Sequence, residues 1–197
     1  DLGLSTLAVG ASPEGELLVH AGNPRPYVRS QARLAKAQKV ASRRQGPARG
    51  KAPSNRWRRA HQRVQAIHAR AVNQRRAVQH HLTRHLAKTY DVIVVEDLNV
   101  TGMARNRTLA KHVHDAGWAE LVRQLEYKAA WYGATIVKAG RFYPSSKTCS
   151  VCGAVKAKLS LAERTFGCDT CGTRADRRRP HAAINLARLG DPSWETR

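Results

Sequence analysis

The chain has 197 residues, 42% of them hydrophobic, which suits one compact domain plus a small module. Lys and Arg number 35 against 14 acids, a formal charge of +21, and a chain this basic calls for a polyanionic partner, nucleic acid first. No apolar run approaches the roughly 18 residues of a membrane span, and no secretory signal is visible at the start, which in an excised piece proves little.

The first words, "DLGLSTLAVG", begin mid-pattern without a methionine and read as the start of an excised domain. "LSTLAVGAS" and "PEGELLVHAG" predict two short strands joined by a Pro/Gly turn. Leu34, Ala37 and Val40 carry helical spacing between about Val28 and Arg44, and "QGPARGKAPSN" then breaks the pattern. A second, long helix is expected from Asn55, read as its N-cap. Its apolar seam is Trp57, Ala60, Val64, Ile67, Ala71, Val78, Leu82 and Leu86, the spacing of helix–helix packing. Arg58, Arg59, Arg63, Arg70, Arg75 and Arg76 fall largely off that seam and are the candidate nucleic-acid contacts.

The basicity is regional. From Leu17 to Tyr90 there is no acid, while that span holds 18 Lys plus Arg, which leaves +3 for the remainder. Solvated helix faces usually mix both signs, so a one-sign stretch reads as a surface for phosphates.

"DVIVVEDLNV" predicts a buried strand covered on both faces and ending in acids. "HDAGWAELVRQLEYKAAWYG" predicts an amphipathic helix with Trp118, Leu121, Leu125 and Ala129 on one face, Asp115 capping its start and Gly133 its end. "ATIVKAG" is another strand, and "HAAINLARLG" follows the cysteines as the last helix. This order gives an α/β fold with a mixed sheet.

The four cysteines are Cys149, Cys152, Cys168 and Cys171, two C-x2-C pairs 15 residues apart, each followed by Gly. A two-residue gap turns two sulfurs towards one ion, and four thiolates make a closed, structural zinc site. Two disulfides are the competing reading, disfavoured in a nucleic-acid-type chain with no other cysteine.

Acids are scarce, so their places matter. Asp1 begins the first strand in D-x-G, Glu96 and Asp97 end the buried strand, and Asp176 precedes the last helix. Carboxylates from neighbouring strand ends and a helix can hold two Mg²⁺ ions about 4 Å apart for phosphodiester cleavage. Taken one by one, these acids are better read as turn, cap or ion-pair residues.

The longer words decide more. "VIVVEDLNVTGM", "DAGWAELVRQLEYKAAWYG", "FYPSSKTCSVCG" and the second Cys-Gly knuckle resemble the TnpB family (OrfB with a zinc ribbon) of insertion sequences, over nearly the whole chain. The resemblance implies an RNA-guided, Mg²⁺-dependent DNA endonuclease related to the compact CRISPR effectors, in a bacterial cytoplasmic, nucleoid-associated setting. It implies an RNase H-like (RuvC-type) domain over 1–140 with a basic helical hairpin at about 28–88. A zinc ribbon would follow over 141–175, and a final RuvC segment with the C-terminal helix over 176–197. The family's first two catalytic acids fall on Asp1 and Glu96. Domains that bind guide RNA and the target-adjacent motif would precede Asp1.

One departure stands out. The family's third acid is the second Asp of D-R-D-x-N-A-A, whereas this chain reads "DRRRPHAAINL". Counted from the cysteines, that position is Arg178; counted back from Ala182 and Ala183, it is Arg179. The family's Asn correspondingly becomes Pro180 or His181. At an effective dielectric near 20, an Arg a few ångströms from Mg²⁺ is repelled by several kcal/mol. The expectation is impaired cleavage with binding retained, unless Asp176 swings in from its displaced position. A decayed transposon remnant with neither activity is the third reading.

Overall fold

The computed structural model describes residues 1–160, 163, 165–176, 181–191 and 193, with Asp176 described in its backbone alone. Arg177, Arg178, Arg179 and Pro180, on which the reading of the third acid turns, lie outside the described residues.

Strands β1 (Thr6–Ala11) and β2 (Leu17–Gly22) form the expected antiparallel hairpin. Gly15 takes φ 106° at its turn, a backbone region that suits glycine. Asp1 does not begin β1. It lies on a segment folded back against that strand, with Val9 N–H donating to the Asp1 carbonyl at 2.9 Å and Gly3 N–H to the Leu7 carbonyl at 3.3 Å.

Helix α1 (Pro26–Ser42) starts two residues earlier than its periodicity suggests, because Pro26 presets the first-turn φ. Helix α2 runs unbroken from Asn55 to Thr89, 35 residues or about 52 Å. Its N-cap is Ser54, not Asn55: Ser54 Oγ accepts from Trp57 N–H at 3.2 Å. The outer half of α2 packs on α1 through Leu34, Ala41, Ala60 and Val64. Its inner half packs on the main core.

Strand β3 (Val92–Glu96) pairs in parallel with β4 (Thr135–Ala139) in the register Val92↔Thr135 to Glu96↔Ala139. A parallel pair needs a crossover. It is supplied by α3 (Val100–Arg105), α4 (Ala110–Ala116) and α5 (Trp118–Tyr132). Strand β3 is not covered on both faces: Val92 is 46% exposed and only Val95 is buried. The α5 face behaves as its spacing predicts, with Trp118, Leu121, Leu125 and Ala129 all at most 2% exposed. These residues meet Leu7, Leu82, Val95, Val113 and Ala116 in the central core, except Ala129, which is buried beside it.

Asp115 does not cap α5. It sits inside α4, which ends at Gly117 (φ 65°), and its buried carboxylate reaches across the chain to the start of α1. Oδ1 accepts from Tyr27 N–H at 2.9 Å and Oδ2 from Val28 N–H at 3.0 Å. Gly133, at φ 81°, ends α5 as expected.

Antiparallel and parallel pairing therefore coexist in an α/β fold, but in separate two-stranded ladders rather than one mixed sheet. Between the first two ladders opens an apolar cavity of about 270 Å³, lined by Val9, Val19, Ile93, Ala183 and Leu186 among others. The third ladder joins β5 (Thr165–Gly167) to β6 (Arg174–Asp176) within the cysteine module. Asp176 thus closes that hairpin opposite Thr165, rather than opening the segment of α6 (His181–Arg188). Among the described residues no helix is long and apolar enough to cross a membrane.

Candidate functional site

The four cysteines converge. All are free thiols, and their sulfurs lie within 4.8 Å of one another, the one such cluster of metal-ligand type among the described residues. Cys149 and Cys171 sulfurs are 3.7 Å apart and those of Cys152 and Cys168 are 3.5 Å apart, too far for disulfides. Ligands on 2.3 Å bonds around a tetrahedral Zn²⁺ would sit about 3.8 Å apart, so the donor set fits that ion. Gly153 (φ 75°) and Gly172 (φ 71°) permit the two knuckles to turn beneath the sulfurs. The thiols cannot ionise independently at this distance. The Thr173 hydroxyl and backbone N–H hold Cys171 down to about 6. Cys152 is pushed up to about 12 despite the favourable Ala154 backbone hydrogen bond, by neighbouring thiols and burial. A divalent cation is the simplest charge that lets all four become thiolates.

Glu96 ends β3. Its Oε2 accepts from Leu2 N–H at 3.2 Å and its Oε1 from Ser145 Oγ at 3.4 Å. Leu2 is the neighbour of Asp1, whose carbonyl accepts from Val9 N–H of β1. The backbone next to Asp1 therefore reaches Glu96, but Asp1 lines the apolar cavity and Glu96 the cleft at the end of β3, and the side chain of the third predicted acid, Asp176, lies outside the described residues. Asp97, adjacent in sequence, is taken by Arg141 in an ion pair at 2.8 Å. No Lys or Arg pairs with Glu96 among the described residues, which leaves it the carboxylate of the two suited to a metal ion. It borders a polar cleft of about 360 Å³ at the carboxyl end of β3, where Arg123, Glu126, Lys138 and Arg141 also stand.

Of the six candidate arginines, Arg58, Arg59, Arg63, Arg70 and Arg76 are exposed along α2, and none is in an ion pair with an acid among the described residues. Arg75 is different. It is half-buried, its Nη1 donates to the His114 carbonyl at 3.0 Å, and it packs over Gly117, where a Cβ would lie 2.9 Å from its Cδ. Its role in the fold is to dock α2 on the α4–α5 junction.

Sequence reasoning missed the residues that join these parts. Asn185 on α6 is 2% exposed and donates to the Ser145 and Thr148 carbonyls at 2.8 and 2.7 Å. His181, also 2% exposed, stacks on Phe166 at 4.3 Å and meets Ser150 Oγ at 3.1 Å. Burial lowers its imidazole pKa, with the Thr148 backbone opposing. The six residues His181–Leu186 are buried all round, a signal for a helix wedged between two bodies that "HAAINL" carries in its lack of any charged residue other than histidine.

An α/β frame with a carboxylate at the end of a parallel strand and an appended four-cysteine module defines the class. The solved structure of Cas12f1 with sgRNA and target DNA shares the fold, with a TM-score of 0.60 at 14% identity over 98% of this chain and 51% of that one. A CRISPR-Cas12f ternary complex gives 0.59 at 16% identity, covering 97% and 39%. The OrfB_IS605 family model, described as "Probable transposase", matches residues 1–107, and the "Cas12f1-like, TNB domain" model matches 118–186. A Streptomyces pristinaespiralis protein named "Putative RNA-guided DNA endonuclease" is 41% identical over 168 residues, 85% of this chain and 40% of that protein. The Mycobacterium tuberculosis (strain CDC 1551 / Oshkosh) protein named "Putative RNA-guided DNA endonuclease MT2953" is 36% identical over 198 residues, 98% of this chain and 41% of that protein. The chain belongs to this OrfB/TnpB family, and it spans about two fifths of the length of these relatives.

Proposed function

We propose that the chain is the RuvC-type, RNase H-like nuclease part of a TnpB-like RNA-guided DNA endonuclease, one that retains nucleic-acid binding and cleaves poorly. The observation that carries this reading is Glu96: a carboxylate paired with no Lys or Arg among the described residues, oriented by two neutral donors beside Asp1, at the mouth of a cleft. Asp1 and Glu96 would hold Mg²⁺, and the four cysteines one structural Zn²⁺ in the ribbon over 141–175. Divalent ions at such carboxylates activate water and offset charge on the reacting phosphate. The chain's own contribution is to hold Glu96 in place and to seat guide RNA and DNA on the exposed arginines of α2.

Impairment follows from "DRRRPHAAINL", which puts arginine in either register where the family carries its third carboxylate. Losing one anionic ligand and gaining a cation both weaken a divalent site. The test uses the chain joined to the remaining length its relatives possess, with guide RNA and target DNA. Arg178→Asp and Arg179→Asp are made separately. One of them is expected to raise Mg²⁺-dependent cleavage, and Glu96→Gln to abolish the gain. Efficient cutting by the unmodified chain, stopped by Asp176→Asn, would instead assign the third ligand to Asp176.

A further inference from the structure

A line of hydrogen bonds runs from the cysteine module to Glu96, and α6 anchors it. Both amide protons of Asn185 are engaged by carbonyls at the two ends of the turn 145–148, which leads directly into Cys149. Thr148 Oγ1 tightens that turn by donating to the Pro144 carbonyl at 2.9 Å. The Tyr143 hydroxyl donates to the Asn185 carbonyl at 3.1 Å, so the turn is held from two directions. From this turn Ser145, itself 6% exposed, sends its hydroxyl to Glu96.

A buried asparagine that satisfies two carbonyls needs no function beyond stability. Its placement argues for more. Ser145, at 3.4 Å, and Leu2, at 3.2 Å, face the two oxygens of Glu96 separately, and neither brings a positive charge. Each oxygen keeps lone-pair capacity for another partner. An orienting shell of this kind raises metal affinity without competing for the ligand's charge.

We infer that Asn185 and Ser145 are positioning residues: Asn185 sets the turn, Ser145 orients the Glu96 carboxylate, and divalent-metal affinity at Glu96 thereby depends on the folded cysteine module. The inference rests on the reading of Glu96 as a metal ligand.

The test measures Mn²⁺ binding to the 197-residue chain by electron paramagnetic resonance, with zinc content and melting temperature recorded on each sample. Ser145→Ala is expected to weaken Mn²⁺ binding about tenfold, the lower end for loss of a supporting partner, with zinc content and melting temperature unchanged. Ser145→Thr, which keeps the hydroxyl, restores affinity. Asn185→Leu, where it folds, shows the same loss; where it does not, the serine pair decides. Ser145→Ala binding Mn²⁺ like the parent, while Glu96→Gln abolishes binding, overturns the inference and leaves the metal reading standing. Binding untouched by Glu96→Gln overturns both.

Discussion

The basic hairpin and the cysteine module both project from the central core, yet they are held together in opposite ways. The hairpin has its own apolar cluster, Leu34, Ala41, Ala60 and Val64, and shares one continuous helix with the main core. The module's buried cluster is Cys149, Phe166 and Cys168, of which two are the sulfurs themselves. A three-residue cluster cannot offset the conformational entropy of about thirty residues, each costing about 1–2 kcal/mol. Side-chain burial holds the hairpin; the module has little of it and instead gathers four cysteines that could hold a metal ion.

The contrast is broken most severely by removing metal. Chelation is expected to abolish hydrogen-exchange protection in β5 and β6 while α1 and α2 keep theirs, and one equivalent of Zn²⁺ to restore it. Structural zinc contributes on the order of 10 kcal/mol in small domains, far more than any single interaction in the hairpin. Exchange unchanged by complete chelation would show that the module folds on Phe166 and its hydrogen bonds alone.

A smaller break lies at the hairpin's root. Asp115→Ala removes acceptors from two first-turn N–H groups of α1 and should cost about 2 kcal/mol in urea denaturation, the upper range for a cap. Asp115→Asn, which keeps one acceptor, should cost less. Equal and negligible losses would mean that α1 is held by its seam alone.

The smallest effect on stability is expected on the hairpin's outer face. Arg58, Arg59 and Arg63 changed together to Gln should leave the melting temperature in place. The slope of log affinity for DNA against log salt should fall by about one unit for each phosphate no longer neutralised. Arg75→Gln should do the reverse, lowering stability with little change in slope, because its guanidinium is engaged by His114. Identical behaviour of Arg75 and the other three would erase the distinction between docking and binding arginines.

What was legible in the chain follows from how local each feature is. The C-x2-C pairs and the α5 face announce themselves within a few residues, and the structure assembles both. The seam of α2 is legible in register, but Gln79 and Thr83 inside it are not. They are fully buried, and their partners, the Ala116 carbonyl and Gln124, lie 37 and 41 positions away. Lys128 joins the same cluster with its Nζ on the His80 carbonyl at 2.8 Å and Thr83 Oγ1 at 2.7 Å. Asp115 stands where a cap for α5 would stand, whereas its N–H partners lie 87 and 88 residues back. Glu96 is visible as an acid ending a strand; that Ser145 and Asn185 orient it is not, since nothing in their spacing carries information about a partner brought in by the fold.

The length of α2 has a consequence of scale. From Arg58 to Leu86 the helix rises 28 residues, about 42 Å, with no proline or glycine at which it could bend. Its inner end is clamped to α5, so its outer end is not free to swing. For the polyanion we propose, that span corresponds to about twelve base-pair steps at 3.4 Å. The helix is then a ruler, setting how far from the Glu96 cleft a strand gripped at the hairpin tip can lie.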